Sequence, residues 1–247
     1  MKFQELFGNT PIIGMIHLAG NDPVKRALNE LAIFEEEGID GAIIENYHGS
    51  TEDVEETLKA ISKQDHFITL GVNILANDYS DSFPLAAEYG ADFIQIDNIA
   101  GTYTRGTRTY SVYSQLRQEH PDIVVLGGVW PKYYEPINPV KEQLRHDLLE
   151  GMQRSDAIVV TGEGTGKETP IEKIRYFREV LGDHPLIDGA GITPENAFEQ
   201  LSICDGAIVG TYLKADGPYE PNTFNHLDRI KIRDLMDVVR EVRKYKG

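Results

Sequence analysis

Cysteine is almost missing from this chain: 247 residues carry one, Cys204. A single thiol excludes an intrachain disulfide framework and fits a reducing compartment. Long apolar runs are missing too. No stretch approaches the roughly 20 apolar residues that a membrane-spanning helix needs, and the opening MKFQELFGNTPII lacks the charged, apolar and small-residue regions of a signal peptide. A soluble, cytoplasmic protein is therefore expected. Basic charge is scarce, with 24 Lys and Arg against 40 Asp and Glu, a net charge of −16 and a pI near 4.8. That balance repels phosphate backbones and anionic lipid surfaces, which argues against nucleic-acid and membrane partners and leaves room for a small anion in a local pocket. No G-x-S-x-G elbow is present, which removes that serine-nucleophile chemistry. No H-x-H or H-E-x-x-H pair is present either, so zinc has no obvious ligand set.

What is present is a rhythm. Short runs rich in Ile and Val recur eight times: PIIGMIHL, GAIIENY, FITLGVNIL, DFIQIDNI, IVVLGGVW, AIVVTGEG, PLIDGAGI and GAIVGTYLK. Between them lie stretches such as DVEETLKAISKQ, PVKEQLRHDLLEGMQR and PIEKIRYFREVL, with apolar residues at three- and four-residue spacing. Strand and helix in strict alternation predict one (β/α)8 TIM barrel with a closed parallel sheet over residues 1–247, an open doubly wound sheet being the alternative. A two-strand repeat supports this. Asp40, Asp92, Asp156 and Asp205 open the even strands alike, and His66, His120 and His184 precede three of the odd ones. Standing before their strands, these residues belong to the lower face, where they serve turns and stability. Cys204 is read as packing.

Chemistry in such a barrel sits where the strands end, and strand residues alternate between the interior and the helix layer. By that logic His17, Glu45, Asn73, Asp97, Thr161 and Asp188 converge at the mouth. The stretch LIDGAGITPEN (186–196) sets Gly189 and Gly191 before Thr193 as a helix cap and Pro194 at the first helical position. Free amides and a helix start make an anion site with no basic side chain. The eighth unit adds Gly210, Thr211 and Lys214, and loops seven and eight are where these barrels frequently hold phosphate. An ordinary strand-to-helix turn uses the same residues.

Loop six, TGEGTGKET, fails the nucleotide P-loop pattern, because Glu168 follows Lys167 and Thr161 stands where a glycine is required. Its Gly162 and Gly164 extend the phosphate cradle, hold a ribose, or belong to a flexible loop. Loop four, GTYTRGTRTY, offers Arg105 and Arg108 with Tyr103 and Tyr110 as a lid over an anionic substrate, or as a solvated loop. Glu45 and Asp97 suit an acid/base pair if burial separates their pKa values, His17 a proton shuttle, and Lys132 an electrophile or Schiff-base former. A divalent metal held by Glu45, Asp97 and a substrate phosphate is a cofactor compatible with these residues.

Several segments together resemble the BtpA/SgcQ family of TIM-barrel proteins. They are IIGMIHL (12–18), IEN (44–46), GVNILANDY (71–79), GADFIQID (90–97), IVVTGEGTG (158–166) and GITPENAFEQLSICDGAIVGTYLKADG (191–217). The resemblance implies a (β/α)8 barrel; the family takes its name from a role in photosystem I accumulation, and other members look like enzymes of sugar or nucleoside metabolism. Against the family pattern, the first loop reads AGNDP in place of a Leu-Pro-Gly segment. Gln95 and Asp97 stand where Arg and Asn are usual, and Gly128 and Tyr133 where Asp and His are usual. The last two units are also similar to ribulose-phosphate-binding barrels.

Three readings follow. The first is an isomerase-, epimerase- or lyase-type enzyme on a phosphorylated sugar or nucleoside-derived phosphate. The second is a non-catalytic assembly or stability factor of the BtpA type, and the third a metal-dependent hydrolase. Apolar positions in FNHLDRIKIRDLMDVVREV either pair two copies of the chain or pack the last helix on the barrel.

Overall fold

The computed structural model describes residues 3–76, 79–104, 110–219 and 221–247. Eight parallel strands close in sequence order: β1 (Ile12–His17), β2 (Gly41–Glu45), β3 (Thr69–Asn73), β4 (Phe93–Ala100), β5 (Val124–Val129), β6 (Ala157–Val160), β7 (Leu186–Asp188) and β8 (Gly206–Val209). Pairing of β8 with β1 excludes the open sheet. After a short α1 (Phe3–Leu6), the described helices are α2 (Pro23–Glu37), α3 (Thr51–Ile61), α4 (Tyr79–Tyr89), α5 (Tyr110–Glu119), α6 (Lys141–Arg154), α7 (Ile171–Leu181), α8 (Pro194–Leu201) and α9 (Arg229–Lys246). None is long and apolar enough to cross a membrane.

Helix starts follow local chemistry. Asp22 accepts the Lys25 N–H ahead of Pro23, and Ser50 and Asp53 cap α3 reciprocally. Ile232, Leu235, Met236, Val239 and Val242 of α9 are all buried. The last helix thus spends its apolar face on the barrel.

Alternation builds two cores. Outward residues of the strands pack under the helices, while Ile13, Met15, Ile43, Phe93, Leu126, Val159, Ile187 and Ile208 fill the interior. Phe3 and Phe7 close the bottom, the Phe7 ring lying 5.4 Å from Phe93. A Cβ at Gly71 would lie 2.3 Å from the Phe93 ring, so a glycine is what lets that ring cross the interior.

The four repeated aspartates explain the two-strand period. Asp40, Asp92, Asp156 and Asp205 each accept, through Oδ2, an N–H from one of the first two residues of the preceding odd strand, from Ile12, Leu70, Val125 and Leu186 at 2.7–2.9 Å. Arg243, Arg117 and Arg178 pair with three of these carboxylates. Of the histidines, His66 Nδ1 lies 3.1 Å from the Ile68 carbonyl and His120 stacks on Phe83. Cys204 is fully buried.

Candidate active site

Strand register sets the first three groups side by side. His17 is level with Glu45, and Glu45 with Asn73. Being on the inward parity at the strand ends, they share the mouth with Gln95 and Asp97. Asn73 Nδ2 donates to Glu45 Oε1 at 2.7 Å and lies 3.4 Å from Asp97 Oδ1, so one amide bridges the two carboxyl groups. Asn73 itself stays beneath the cleft floor, 1 % exposed. Burial first, and then the Asp97 charge, push the Glu45 carboxyl up to about 8, against the opposing pull of Lys132 and the Asn73 hydrogen bond. Glu45 therefore keeps its proton at neutral pH. His17 Nε2 stands 3.6 Å from Glu45 Oε2. Burial, then Lys214 and Lys132, hold the imidazole well below its ordinary range. A ring held that way is neutral near neutral pH.

The strand-β4 end is irregular between Ile96 and Ala100. A Cβ at 128 would fall 2.0 Å from the Asp97 carbonyl oxygen. Gly128 thus accommodates the backbone that presents Asp97, which links two of the unusual positions physically. The loop after β5 then turns through Trp130 and Tyr133, both left-handed with φ of 48° and 68°. It is tied down by the Lys132 N–H donating to Thr161 Oγ1 (2.8 Å) and by Lys173, whose ammonium donates to the Trp130 and Thr161 carbonyls. Burial lowers Lys173 to about 8.

Two cavities of about 220 and 240 Å³ share Met15, His17, Lys132, Thr165, Gly189 and Ile208, and so form one continuous cleft. The first holds Glu45, Gln95, Asp97 and Thr161, with Tyr47, Leu75 and Pro131 as a less polar wall. The second is lined by residues 189–193 after β7, residues 209–212 at the end of β8, and Lys231 of α9. Its chain leaves β8 into a single 3-10 turn, Thr211–Leu213. The N–H groups of Gly191, Ile192, Thr211 and Tyr212 meet no acceptor among the described residues. Amides in that state, beside Lys132 and Lys231, attract anions. Thr193 caps α8 with Pro194 in its first turn, as the sequence suggests, and the Thr193 N–H goes to Asn196 Oδ1 at 2.9 Å. Loop six reaches over both halves through Thr165, whose N–H and Oγ1 bond the Tyr133 hydroxyl at 2.9 and 3.1 Å.

Several expected residues lie elsewhere. Asp188 has the outward parity, one residue off the interior Ile187, and lines neither half; its Oδ1 accepts the Thr169 hydroxyl (2.7 Å) and the Ala190 N–H (3.3 Å). Lys214 points away from the cleft to Glu30. Gly162 and Gly164 line neither half, whereas Thr165 and Gly166 do. In loop four, Arg105 and Arg108 lie outside the described residues. Tyr103 is buried with its hydroxyl on the Ala100 carbonyl, and Tyr110 lies under the Arg154 guanidinium, so neither covers the mouth. Sequence reasoning missed Lys231 and Thr165: the first arrives from a helix that no strand pattern marks, the second stands one residue beyond a glycine that looked more telling. For a metal, one group of three ligand side chains clusters among the described residues, His146, Asp147 and Glu150 on α6. Their oxygens already serve Trp130, Gln143 and Arg154.

Residues 9–241 match the BtpA family. The chain belongs to that family. Its relatives include an uncharacterised protein of Methanocaldococcus jannaschii, 30% identical over 92% of this chain and 94% of that protein. The photosystem I biogenesis protein BtpA of Synechocystis is 22% identical, over 99% of this chain and 93% of its own. The sgc region protein SgcQ of Escherichia coli is 25% identical, over 92% and 88%. In fold, this BtpA-family barrel is similar to a solved structure named as native KDPGal (TM-score 0.66, 15% identity, 99% of this chain and 100% of that one). It is likewise similar to N-(5'-phosphoribosyl)anthranilate isomerase from Pyrococcus furiosus (TM-score 0.61, 15% identity, 94% and 99%).

Proposed function

We propose that this BtpA-family protein is an enzyme that moves a proton within a phosphorylated sugar or nucleoside-derived phosphate, in an isomerase, epimerase or lyase type of reaction. The observation that carries the reading is the continuity of the cleft: a protonated Glu45 and the Asp97 carboxyl stand in one half, unsatisfied amides and two lysines in the other. A phosphate on Gly191, Ile192, Thr211 and Lys231 leaves the carbons of its sugar against the carboxyl pair. Asp97 takes the proton from the carbon next to a carbonyl, and Glu45 gives its own to the carbonyl oxygen, which yields an enediol. Asp97 then delivers its proton to the neighbouring carbon while the other enediol hydroxyl gives its proton to the Glu45 carboxylate, which yields the isomeric carbonyl compound and restores both groups. Lys132 and the neutral ring of His17 steady the developing oxygen charge. A fold neighbour named as a phosphoribosylanthranilate isomerase supports this by analogy.

The first test is thermal unfolding with ribose 5-phosphate, ribulose 5-phosphate and inorganic phosphate. A ligand at 100 times its Kd adds about 2.7 kcal/mol, a rise of about 5–10 °C in the midpoint. Exchange of sugar C–H protons into deuterated water, followed by NMR, tests the chemistry; it is expected in the native chain and lost in Glu45→Gln and Asp97→Asn. Binding without exchange in any compound, together with a biological effect intact in both variants, supports the assembly-factor reading, which the Synechocystis relative's name favours.

A further inference from the structure

Asp188 is a fully buried carboxyl for which no cation is a partner among the described residues. Its Oδ2 is buried and meets no hydrogen-bond partner there either. Such a group is costly to keep charged. It sits directly under the turn 189–191, whose glycines line the anion-attracting half of the cleft, and holds the middle residue of that turn through the Ala190 N–H.

We propose that Asp188 is a positioning residue linked to proton uptake: it fixes the 189–191 turn, and binding of a dianion to that turn is accompanied by transfer of a proton from solvent to its carboxyl. The inference rests on the phosphate reading given under Proposed function.

The geometry supplies both protonation states with hydrogen bonds to the turn. Thr169 Oγ1 stands 2.7 Å from Asp188 Oδ1 and 3.2 Å from the Ala190 carbonyl oxygen. Its single proton serves one of them. With Asp188 ionised, the Thr169 hydroxyl and the Ala190 N–H both donate to Oδ1. With Asp188 protonated, the acid donates to Thr169 Oγ1, and the threonine proton turns to the Ala190 carbonyl. The turn stays pinned while one charge disappears.

The surroundings set the sign. A dianion on the Gly191 and Ile192 amides is a like charge close to Asp188 and favours its neutral form. Glu168, from loop six, acts in the same sense, and burial is the largest influence, raising the carboxyl to about 7 against the Thr169 and Ala190 bonds. From the turn after α8, the Cys204 thiol faces the same space, its own pKa raised by burial and then by Asp188. Gln200 of α8 bonds Glu168 Oε1 and the Thr169 carbonyl and adds no charge. Arg178, Asp205 and Lys246 act on Cys204 from the lower side.

Sulfate tests this cleanly, being a dianion that does not titrate near neutral pH. Calorimetric titration of the full chain in two buffers of different ionisation enthalpy counts protons. The native chain is expected to take up protons near pH 7 as sulfate binds. Its affinity should fall as pH rises, by about tenfold for each unit by which binding raises the Asp188 pKa. Asp188→Asn is expected to bind sulfate with that uptake lost and a flatter pH profile; Glu45 is the same in both proteins and cancels in the comparison. Equal proton uptake in the two proteins overturns the inference and leaves the phosphate reading standing. Failure of the native chain to bind sulfate or ribose 5-phosphate overturns both. Should the variant not fold, the 13C carboxyl resonance of Asp188 in the native chain decides: a titration midpoint that moves up with sulfate supports the proposal, and an unmoved one sinks it.

Discussion

Lys214 Nζ lies 2.7 Å from Glu30 Oε2, and both side chains are closed off from solvent. Arg26 holds the other oxygen of Glu30 at 3.0 Å. The lysine that follows the Gly210–Thr211 turn therefore anchors the chain leaving β8 to α2. It lines neither half of the cleft, and that separation can be measured.

Replacing Lys214 by Met leaves Glu30 buried with Arg26 alone. Loss of one partner of a buried pair costs about 3–5 kcal/mol, read as a lower denaturant midpoint. The double variant Lys214→Met, Glu30→Leu is expected to recover most of that loss. Phosphate affinity of the folded fraction should stay unchanged in both, because neither side chain lines the cleft.

Glu45 carries a stability penalty with a defined pH window. Its folded pKa of about 8 lies above the ordinary 4.5. Between those values the unfolded chain releases a proton that the folded chain retains, so stability falls as pH rises. Below the window both states are protonated and the penalty vanishes. Glu45→Gln should therefore gain on the native chain as pH climbs from 4.5 to 8, with a ceiling of about 5 kcal/mol at about 1.36 kcal/mol per unit. Thermal midpoints at pH 5 and pH 8.5 test this; a gap that does not widen contradicts the burial argument.

Gly191 has a φ of 71°, and a Cβ there would lie 2.3 Å from the Glu168 nitrogen. Gly191→Ala is expected to lose about 1–3 kcal/mol from backbone strain alone. Loop six must also move aside, so phosphate binding should disappear at temperatures where the barrel is still folded by circular dichroism.

Lys231 reaches the second half of the cleft while bonded to Asp216 and the Lys214 carbonyl. Lys231→Ala should lower phosphate affinity about tenfold, in line with a charge-assisted hydrogen bond. Its affinity should also depend less steeply on salt than that of the native chain. Isothermal titration at two ionic strengths measures both effects.

Much of this was legible in the sequence because parity is a local property. His17, Glu45 and Asn73 could be placed at one level from the lengths of their strands, and the Thr193–Pro194 start of α8 from cap chemistry. Asp188 shows where that reasoning gives way. Strand β7 has three residues, too few for parity to be fixed by its own pattern, and the inward position next to it is a glycine. Lys231 stands on α9, outside every strand and strand-to-helix turn whose pattern marks the mouth. The Asn73 bridge between Glu45 and Asp97 depends on three strands at once. Pairwise distances of that kind follow from barrel closure, which no single segment encodes.

The lower face bears on what the upper face is free to become. Each aspartate clamp closes within one strand pair: β1 with β2, β3 with β4, β5 with β6, β7 with β8. Registry is thus secured at the end remote from the loops, in four separate places. A scaffold held that way tolerates rewriting at its upper end, where positions 95, 97 and 128 sit on strands β4 and β5 and 133 on the loop after β5. Transplanting the loops of one relative onto the frame of another becomes a practical way to ask which of them carries the choice of substrate.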